Sequence, residues 1–306
     1  YKIRPPYSTS FRNKPTFTSL FKGRYNMQIF KEIGPLKAFL VEKRKQGNTL
    51  GFVATMGALH EGHLKLIRES QNDNSVTICS IFVNPSQFNN PEDLRKYPRT
   101  LEKDIILLEK AGCDALFCPE VETMYSQKSY LRFDFGHLDK VMEGQFRPGH
   151  FSGVALVVSK LLHIVEPEVA YFGQKDWQQF AIIRQLVSEL QFNVTLKSIP
   201  TLREASGLAM SSRNARLTNI QREKAALIHN TLLIASDKLR AGDSIPAVKK
   251  VVTEMLEADK DFKVEYFEIA DSENLTLLNN VTESAQQILC IAVFVGDVRL
   301  IDNMFL

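Results

Sequence analysis

The stretch VATMGALHEGH, residues Val53–His63, joins a strand to a helix and decides how the chain folds. Residues 49–55 are small, apolar or β-branched and carry no charge, a pattern that predicts a short buried strand. After the stretch, Leu64, Leu66 and Ile67 recur at helical spacing. We therefore predict a strand over 49–55, a turn eased by Gly57, and a helix that begins between His60 and Gly62.

The first turn of this helix has the properties of a phosphate site. Its N–H groups are unpaired, and they lie at the positive end of the helix dipole. His60 and His63 are three residues apart, so their imidazoles project from one face and can donate hydrogen bonds to a triphosphate. The alternative is that both histidines are ordinary residues of a helix start and bind no ligand. The presence of Gly57 and Gly62 directly after a buried strand weighs against this alternative.

Other phosphate and metal motifs are absent from the sequence. A zinc site is disfavoured, because the HExxH order is missing and no Cys or carboxylate joins the histidines at ligand spacing. Neither G-x-G-x-x-G nor G-x-x-x-x-G-K-[ST] occurs, which disfavours dinucleotide and P-loop sites.

These residues resemble a known family. HEGH, residues 60–63, resembles the HxGH signature of the nucleotidyltransferase superfamily, which is shared with class I aminoacyl-tRNA synthetases. The longer string Thr55–His63 resembles the pantothenate synthetase (pantoate–β-alanine ligase) family, which has a proline where this chain has Ala54. Further strings extend the resemblance from about Met27 to the C-terminus.

Polar residues follow the next strand. Residues 76–83, VTICSIFV, form a near-continuous apolar run, which is typical of a strand in a sheet covered on both faces. Open α/β sheets bind ligands at the carboxyl ends of their strands, which is where Gln87 lies. Taken alone, Gln87 could be a solvent-exposed loop residue. The string FVNPSQF resembles the family's FVNPxQF, and this implies that Gln87 binds pantoate and lies near β-alanine.

The string RPGHF, residues 147–151, also resembles the family. The overlapping GHFSG is not a G-x-S-x-G nucleophile elbow, because its serine is one position late, so we do not predict a serine hydrolase. We expect Ser152 to cap a helix over Val154–Val165, and Thr100 to cap a helix that runs to Ala111.

A further strand, Glu168–Phe172, ends in GQKD. Gly173 allows close approach of a ligand, Lys175 offers a point charge to phosphate, and Asp176 is expected to cap the next helix or to reach a ribose hydroxyl. A plain capped turn is the structural alternative. The resemblance implies that Gln179, in the following turn, binds substrate.

The loop REASGLAMSSRN, residues 203–214, contains hydroxyls and a guanidinium that can wrap a triphosphate. It resembles the family's READGLAMSSRN, the counterpart of the synthetases' KMSKS loop, with Ser206 in place of the usual Asp. The resemblance also implies that the backbone of Leu202 contacts adenine.

Together, the residues and the resemblance define an expected site. Its catalytic residues are His60, His63, Lys175 and Arg213, and its substrate-binding residues are Gln87 and Gln179. Its ATP-binding residues come from three turns: Met56, Gly57, Ala58, Leu59, His60, Glu61, Gly62, His63, Gly173, Gln174, Lys175, Asp176, Leu202, Met210, Ser211, Ser212 and Arg213. The resemblance implies Mg²⁺ with ATP, but the sequence does not specify its ligands.

The alternation of strands and helices predicts an α/β fold, a doubly wound, Rossmann-like parallel sheet with a smaller C-terminal α+β domain. We expect a basic leader at 1–26, a nucleotide- and pantoate-binding domain at 27–199, and a lid domain at 200–306 that includes the Ser211–Arg213 loop. Further helices and strands are predicted at 35–46, 115–119, 192–199, 218–240, 245–258, 264–269 and 287–295.

Composition restricts the class and the compartment. The chain has 306 residues, 44% hydrophobic and 24% charged, as in a globular enzyme. The four cysteines show no CxxC pairing, which favours reduced core residues in a reducing compartment. Residues 1–26 hold six Lys and Arg and no acid, against a net charge of +3 for the chain, so the remainder is net acidic. The leader resembles a mitochondrial transit peptide, or is a disordered tail of a cytoplasmic protein.

The resemblance implies condensation of pantoate with β-alanine by ATP, through a pantoyl adenylate, and a homodimer. The expected partners are these small molecules, with no nucleic acid and no membrane. A cytidylyl- or adenylyltransferase and a non-catalytic nucleotide-binding module are the alternatives. A class I tRNA synthetase is disfavoured, because nothing resembles an anticodon-binding module and the body is acidic.

Overall fold

The computed structural model describes residues 27–281 and 286–306. The leader at 1–26, predicted to be a targeting segment or a disordered tail, lies outside the described residues. The helices are α1 (Ile33–Lys45), α2 (Glu61–Asp73), α3 (Pro91–Lys96), α4 (Leu101–Lys110), α5 (Val121–Met124), α6 (Met142–Phe146), α7 (His150–Val165), α8 (Trp177–Glu189), α9 (Asn219–Arg240) and α10 (Ile245–Glu257). The strands are β1 (Gln28–Phe30), β2 (Leu50–Thr55), β3 (Val76–Ile81), β4 (Ala115–Phe117), β5 (Val169–Gly173), β6 (Thr195–Ile199), β7 (Phe262–Asp271), β8 (Gln287–Val295) and β9 (Val298–Phe305).

The main sheet has six parallel strands in the order β1-β4-β3-β2-β5-β6. The chain moves outward from β2 through β3 to β4, and then returns to the other side of β2 with β5 and β6. The strand order therefore reverses between β2 and β5. Open α/β sheets bind ligands at the carboxyl ends of the strands at such a point.

Both faces of this sheet are covered, because successive residues of each strand point to opposite sides. Phe52 and Ile78 pack in a core with α1, α7 and α8. Their neighbours Val53 and Cys79 pack in a second core with α2 and α4. The α/β prediction is confirmed, and the apolar run of β3 is explained by burial of all its residues.

The C-terminal segment forms a smaller antiparallel sheet in the order β7-β8-β9. One face of β8, including Leu289 and Ile291, packs on α9 and α10. The other face, including Ile288 and Cys290, joins the core of the main sheet. The small sheet is thus held against the main one, and the predicted α+β character of this region is confirmed.

Several local predictions need correction. Two strands were missed, the short edge strand β1 and the final strand β9. Ser152 does not cap α7, which already begins at His150; instead its hydroxyl accepts a hydrogen bond from the N–H of Phe133. Thr100 precedes α4 as expected, but its hydroxyl donates to the carboxylate of Asp104 rather than capping the helix.

The structure also shows the state of the cysteines and the character of the helices. Cys79, Cys113, Cys118 and Cys290 are free and buried, as the sequence predicted. In the described part of the chain, no helix is long and apolar enough to cross a membrane.

Candidate active site

An open cavity of about 250 Å³ lies at the carboxyl ends of β2 and β5, where the strand order reverses. The predicted site residues that line it are Met56, His60, Gly62, His63, Gln87, Gly173, Lys175, Asp176, Gln179, Leu202, Met210, Ser211, Ser212 and Arg213. The residues expected to bind phosphate and those expected to bind pantoate therefore line the same cavity.

The remaining predicted ATP-binding residues do not line the cavity: Gly57, Ala58, Leu59, Glu61 and Gln174. The N–H groups of Ala58 and Leu59 are bound to Asp104. Glu61 is exposed and lies 3.1 Å from Arg68. The carbonyl of Gln174 accepts a hydrogen bond from Asn303.

The rings of His60 and His63 each accept a backbone hydrogen bond at the start of α2. The Nδ1 atom of His60 accepts from the N–H of Gly62 at 3.1 Å, which caps the helix. The Nδ1 atom of His63 accepts from the N–H of His60 at 3.3 Å. Since each Nδ1 is an acceptor, each neutral ring carries its proton on Nε2. The two Nε2–H groups are therefore the donors left for a ligand.

Both imidazoles are neutral at physiological pH. Burial, followed by the charge of Lys175, lowers the pKa of His60 to about 4. Burial, followed by the nearby His60 and Lys175, lowers the pKa of His63 to about 3. The two histidines thus donate hydrogen bonds without adding positive charge. The cations lining the cavity are Lys175, Arg147 and Arg213.

Lys175 lies in the turn between β5 and α8, and this turn is held from the C-terminal sheet. The Nδ2 atom of Asn303, in β9, donates to the carbonyls of Gln174 and Lys175 at 2.9 Å and 2.8 Å. Asn303 is 4% exposed. Asp176 occupies the N-cap position of α8 but makes no capping hydrogen bond, so its carboxylate remains exposed at the cavity.

The Ser211–Arg213 segment forms another part of the cavity lining. The Ser211 hydroxyl accepts from the N–H of Arg213, which starts a short 3₁₀ turn, Ser212–Arg216. The Ser212 hydroxyl lies 3.3 Å from the Tyr97 hydroxyl. The guanidinium of Arg213 lies 3.3 Å from the carboxylate of Asp93, in α3.

The loop before this segment is anchored by ion pairs. Arg203 makes a bidentate contact with the buried Asp302 of β9, at 2.6 Å and 3.1 Å. Glu204 accepts two hydrogen bonds from Arg222 and one from the Asn214 amide, at 2.8 Å for the latter. These contacts fix both ends of the loop that presents Ser211, so Arg203, Glu204 and Asn214 of the motif have a structural role.

Gln87 is buried, at 6% exposure, and its amide is oriented by its neighbours. The Oε1 atom accepts from the Nδ2 of Asn84 at 3.1 Å, and the Nε2 atom faces the sulfur of Met56, a weak acceptor. The carbonyl of Gln87 accepts a hydrogen bond from the Nδ1 of His150 at 2.8 Å. Because Nε2 donates one N–H to Met56, its other N–H is the part of the Gln87 side chain available to a ligand.

Gln179 reaches the cavity from α8. It also lines a smaller adjoining space of about 40 Å³, together with Arg147 and His150. Its neighbour Gln178 has a different role, since the Gln178 amide is buried and ties the N–H of Glu143 to the carbonyls of Leu138 and Val141. Of the two consecutive glutamines, Gln179 therefore faces the ligand space.

A buried network beside the site was not assigned from the sequence. Arg147 donates to the Nε2 of His150 at 3.1 Å and lies 3.7 Å from Glu143. The carboxylate of Glu143 also accepts hydrogen bonds from Arg299 and Tyr266 of the C-terminal sheet. Despite its burial, Arg299 and Arg147 lower the pKa of Glu143 to about 2. The string RPGHF signalled Arg147 and His150, whereas nothing in the sequence signalled Arg299.

The comparisons with known proteins agree with this geometry. The sequence model of the family described as pantoate-beta-alanine ligase matches residues 28–305. Pantothenate synthetase from Cytophaga hutchinsonii is 47% identical over 277 residues, covering 89% of this chain and 96% of that protein. The Bacteroides fragilis enzyme of the same name is 47% identical over 278 residues, covering 91% and 98%.

Solved structures show the same likeness. The crystal structure of pantothenate synthetase from Thermus thermophilus superposes with a TM-score of 0.84 at 40% identity, covering 91% of this chain and 99% of that one. Pantoate-beta-alanine ligase from Francisella tularensis, crystallised with beta-gamma ATP and beta-alanine, gives 0.77 at 37% identity, covering 91% and 97%. This chain therefore belongs to the pantoate–β-alanine ligase family of enzymes.

Proposed function

We propose that this enzyme condenses (R)-pantoate with β-alanine at the expense of ATP, through a pantoyl adenylate, and releases AMP and diphosphate. The observation that carries the proposal is the shared cavity, in which phosphate-binding groups on three turns face the amides of Gln87 and Gln179. The Francisella tularensis structure, complexed with beta-gamma ATP and beta-alanine, supports ATP and β-alanine as substrates.

In the first step, the pantoate carboxylate attacks the α-phosphorus of ATP and diphosphate leaves. The enzyme's contribution is to position the reactants and to stabilise the developing charge. The Nε2–H groups of His60 and His63 donate to the phosphates, while Lys175 and Arg213 supply positive charge. Ser211 and Ser212, which also line the cavity, offer hydroxyls. Gln87 and Gln179 orient pantoate without neutralising its nucleophilic carboxylate.

We expect Mg²⁺ to enter with the nucleotide. Residues 27–281 and 286–306 contain no cluster of three or more His, Cys, Asp or Glu that could hold a metal ion. Mg²⁺ usually keeps water and binds substrate phosphates plus one or two carboxylates, and Asp176 is the carboxylate that lines the cavity. The donor set therefore fits an ion bound mainly by the triphosphate, with Asp176 as its protein ligand. The ion would offset phosphate charge.

In the second step, the β-alanine amine attacks the acyl carbon of the adenylate, and AMP leaves. The adenylate reacts readily with water, so the site benefits from closure. We propose that residues 27–199 bind the nucleotide and pantoate, and that residues 200–306 act as the lid. The contacts of Asn303 and Arg299 connect the proposed lid to the Lys175 turn and to the Arg147 network.

Two further expectations stay predictions. The family resemblance implies a homodimer, which light scattering coupled to size-exclusion chromatography would test. The relatives named above come from bacteria, and this favours the cytoplasm over the mitochondrion as the site of action.

An isotope exchange assay tests the proposed function. The purified enzyme, given ATP, Mg²⁺, pantoate and labelled diphosphate, should form labelled ATP in a pantoate-dependent manner, without β-alanine. Addition of β-alanine should then yield pantothenate and AMP in equal amounts. Exchange without amide formation would point instead to an adenylyltransferase, and tight ATP binding without exchange would point to a non-catalytic module.

A further inference from the structure

The carboxylate of Asp104 is buried behind the turn that leads into α2. Asp104 lies in the first turn of α4 and is 1% exposed. Its Oδ2 atom accepts from the N–H of Ala58 at 2.9 Å, and its Oδ1 atom accepts from the N–H of Leu59 at 2.8 Å. The Thr100 hydroxyl lies 3.2 Å from both oxygens. One carboxylate thus binds two consecutive backbone donors, one with each oxygen.

The turn that Asp104 holds is strained. Gly57 has φ +79° and Ala58 has φ +50°, so two successive residues occupy the left-handed region. This conformation is unfavourable for alanine and persists where surrounding contacts impose it. A Cβ atom at Gly57 would lie 3.1 Å from Oδ2 of Asp104, so the carboxylate also fits closely against this glycine.

This turn directly precedes the two histidines. Leu59, bound to Asp104, is followed by His60, whose N–H donates to Nδ1 of His63. The orientation of the His60 peptide therefore fixes the tautomer of His63, and the His60 ring in turn caps α2. The N–H groups of Ala58 and Leu59 are already bound, so they cannot contact phosphate themselves.

We propose that Asp104 is a positioning residue of the adenylation step. It holds the Gly57–Leu59 turn so that the Nε2–H groups of His60 and His63 are aimed at the phosphates. The inference rests on the proposed function, since it concerns the same site. Asp104 does not line the cavity and acts through the backbone of the turn.

A carboxylate is needed because both of its oxygens accept. Asp104→Asn keeps the shape of the side chain but offers one acceptor oxygen and one NH₂ group, which would face a backbone donor. Asp114→Asn is a matched control, because the Asp114 carboxylate accepts the N–H of Thr77 at 2.8 Å, at the other end of the sheet.

Kinetics of the full-length enzyme provide the first measurement. In pantoate-dependent exchange, Asp104→Asn should lower kcat by roughly ten- to a hundredfold, since a small misplacement of catalytic groups has effects of this size. The KM for pantoate should change by less than about threefold, because Gln87 and Gln179 lie on other turns. Asp114→Asn should leave kcat unchanged. Wild-type kcat in Asp104→Asn, or an equal loss in Asp114→Asn, would overturn the proposal.

The imidazoles provide a measurement that does not require activity. In wild-type enzyme with ¹⁵N-labelled histidine, His60 and His63 should each show a protonated Nε2 and an unprotonated Nδ1. Asp104→Asn should disturb these two signals and leave that of His150 in place. If wild-type enzyme shows no exchange, the proposed function fails, while these signals still decide the role of Asp104. Unchanged signals for His60 and His63 would show that Asp104 does not position them.

A milder variant covers the case in which Asp104→Asn does not fold. Thr100→Val removes the hydroxyl that steadies the carboxylate and leaves both backbone contacts in place. It should shift the same two histidine signals and lower kcat by a few-fold. No change in either measurement would count against the proposal.

Discussion

The guanidinium of Arg213, which we assign to the triphosphate of ATP, is paired with the carboxylate of Asp93 at 3.3 Å. Asp93 also lies 3.4 Å from Arg216, so one acidic residue of α3 holds both arginines of the Ser212–Arg216 turn. An incoming triphosphate must therefore compete with Asp93 for Arg213.

This competition predicts opposite effects of two substitutions. Asp93→Asn should tighten ATP binding by up to about fivefold, because a partly exposed ion pair contributes up to about 1 kcal/mol. Arg213→Ala should weaken ATP binding, because it removes a bidentate donor to phosphate. Calorimetric titration with a non-hydrolysable ATP analogue measures both. Glu92→Gln is the control, since Glu92 pairs with the exposed Arg95 instead. Weaker ATP binding in Asp93→Asn would show that Asp93 presents Arg213 to ATP rather than competing for it.

The tautomer of His63 predicts an order among its variants. The donor atom is Nε2, because Nδ1 accepts from the backbone of His60. His63→Gln can place an N–H near the position of Nε2, whereas His63→Asn reaches only to that of Nδ1. His63→Ala should lower the exchange rate by about 10²- to 10³-fold, the usual effect of removing one preorganised donor. Glutamine should restore more of this rate than asparagine; the reverse order would assign the donor role to Nδ1.

Burial of His150 predicts a loss of stability in acid. Burial, followed by the adjacent Arg147, lowers the pKa of His150 to about 3, whereas an unfolded histidine titrates near 6.5. Between these values the unfolded chain binds the proton and the folded chain does not, so the free energy of unfolding falls as the pH falls below about 6.5. At pH 5 the loss from His150 is roughly 2 kcal/mol.

Urea unfolding at pH 7.5 and pH 5 measures this loss. His150→Asn retains an N–H donor for the carbonyl of Gln87 but cannot be protonated. This variant should therefore lose less stability between the two pH values than the wild-type enzyme does. An equal loss would place the acid sensitivity on other groups.

Substitution of Gln87 or Gln179 is expected to weaken binding of pantoate but not of ATP. Gln87→Ala or Gln179→Ala should raise the KM for pantoate by about one to two decades, because a hydrogen bond to a charged group contributes roughly 1.5–3 kcal/mol. ATP affinity should stay within a small factor. Gln178→Ala is an informative comparison, because Gln178 is structural and its loss should lower the melting temperature instead. If Gln87→Ala weakened ATP as much as pantoate, the pantoate site would move to Arg147 and its network.

The sequence predicted the parts of the molecule that depend on local patterns. The apolar runs of β2 and β3 and the helical spacing after His63 are each contained in a few neighbouring residues, and they locate the phosphate-binding turn. The strand β1 was missed because its three residues are too short to show a period, and it forms only by pairing with β4.

Contacts between distant residues were not predictable in the same way. Asp104 and Leu59 are 45 positions apart in the sequence, and Arg299 and Glu143 are 156 positions apart. Each contact therefore forms only when the sheets assemble. In the sequence, Asp104 is one of two acidic residues in the first turn of a helix. Its importance follows from burial and from the positive φ of Ala58, neither of which a local pattern contains.

The close packing of α7 against the Pro85–Gln87 turn predicts the effect of one methyl group. A Cβ atom at Gly153 would lie 2.2 Å from the carbonyl oxygen of Ser86 and 2.7 Å from the Cα atom of Gln87. Both are backbone atoms, so Gly153→Ala must displace the turn that carries Gln87.

We expect the KM for pantoate to rise at least tenfold, with ATP affinity nearly unchanged, because misplacement by about 1 Å has large effects on rate. Gly34→Ala in α1 is the matched control, since no atom beyond its chain neighbours and the backbone of its own helix lies within 4 Å of its added Cβ. It should leave both substrate constants as in wild type. Wild-type pantoate kinetics in Gly153→Ala would show that the position of Gln87 does not control binding of this substrate.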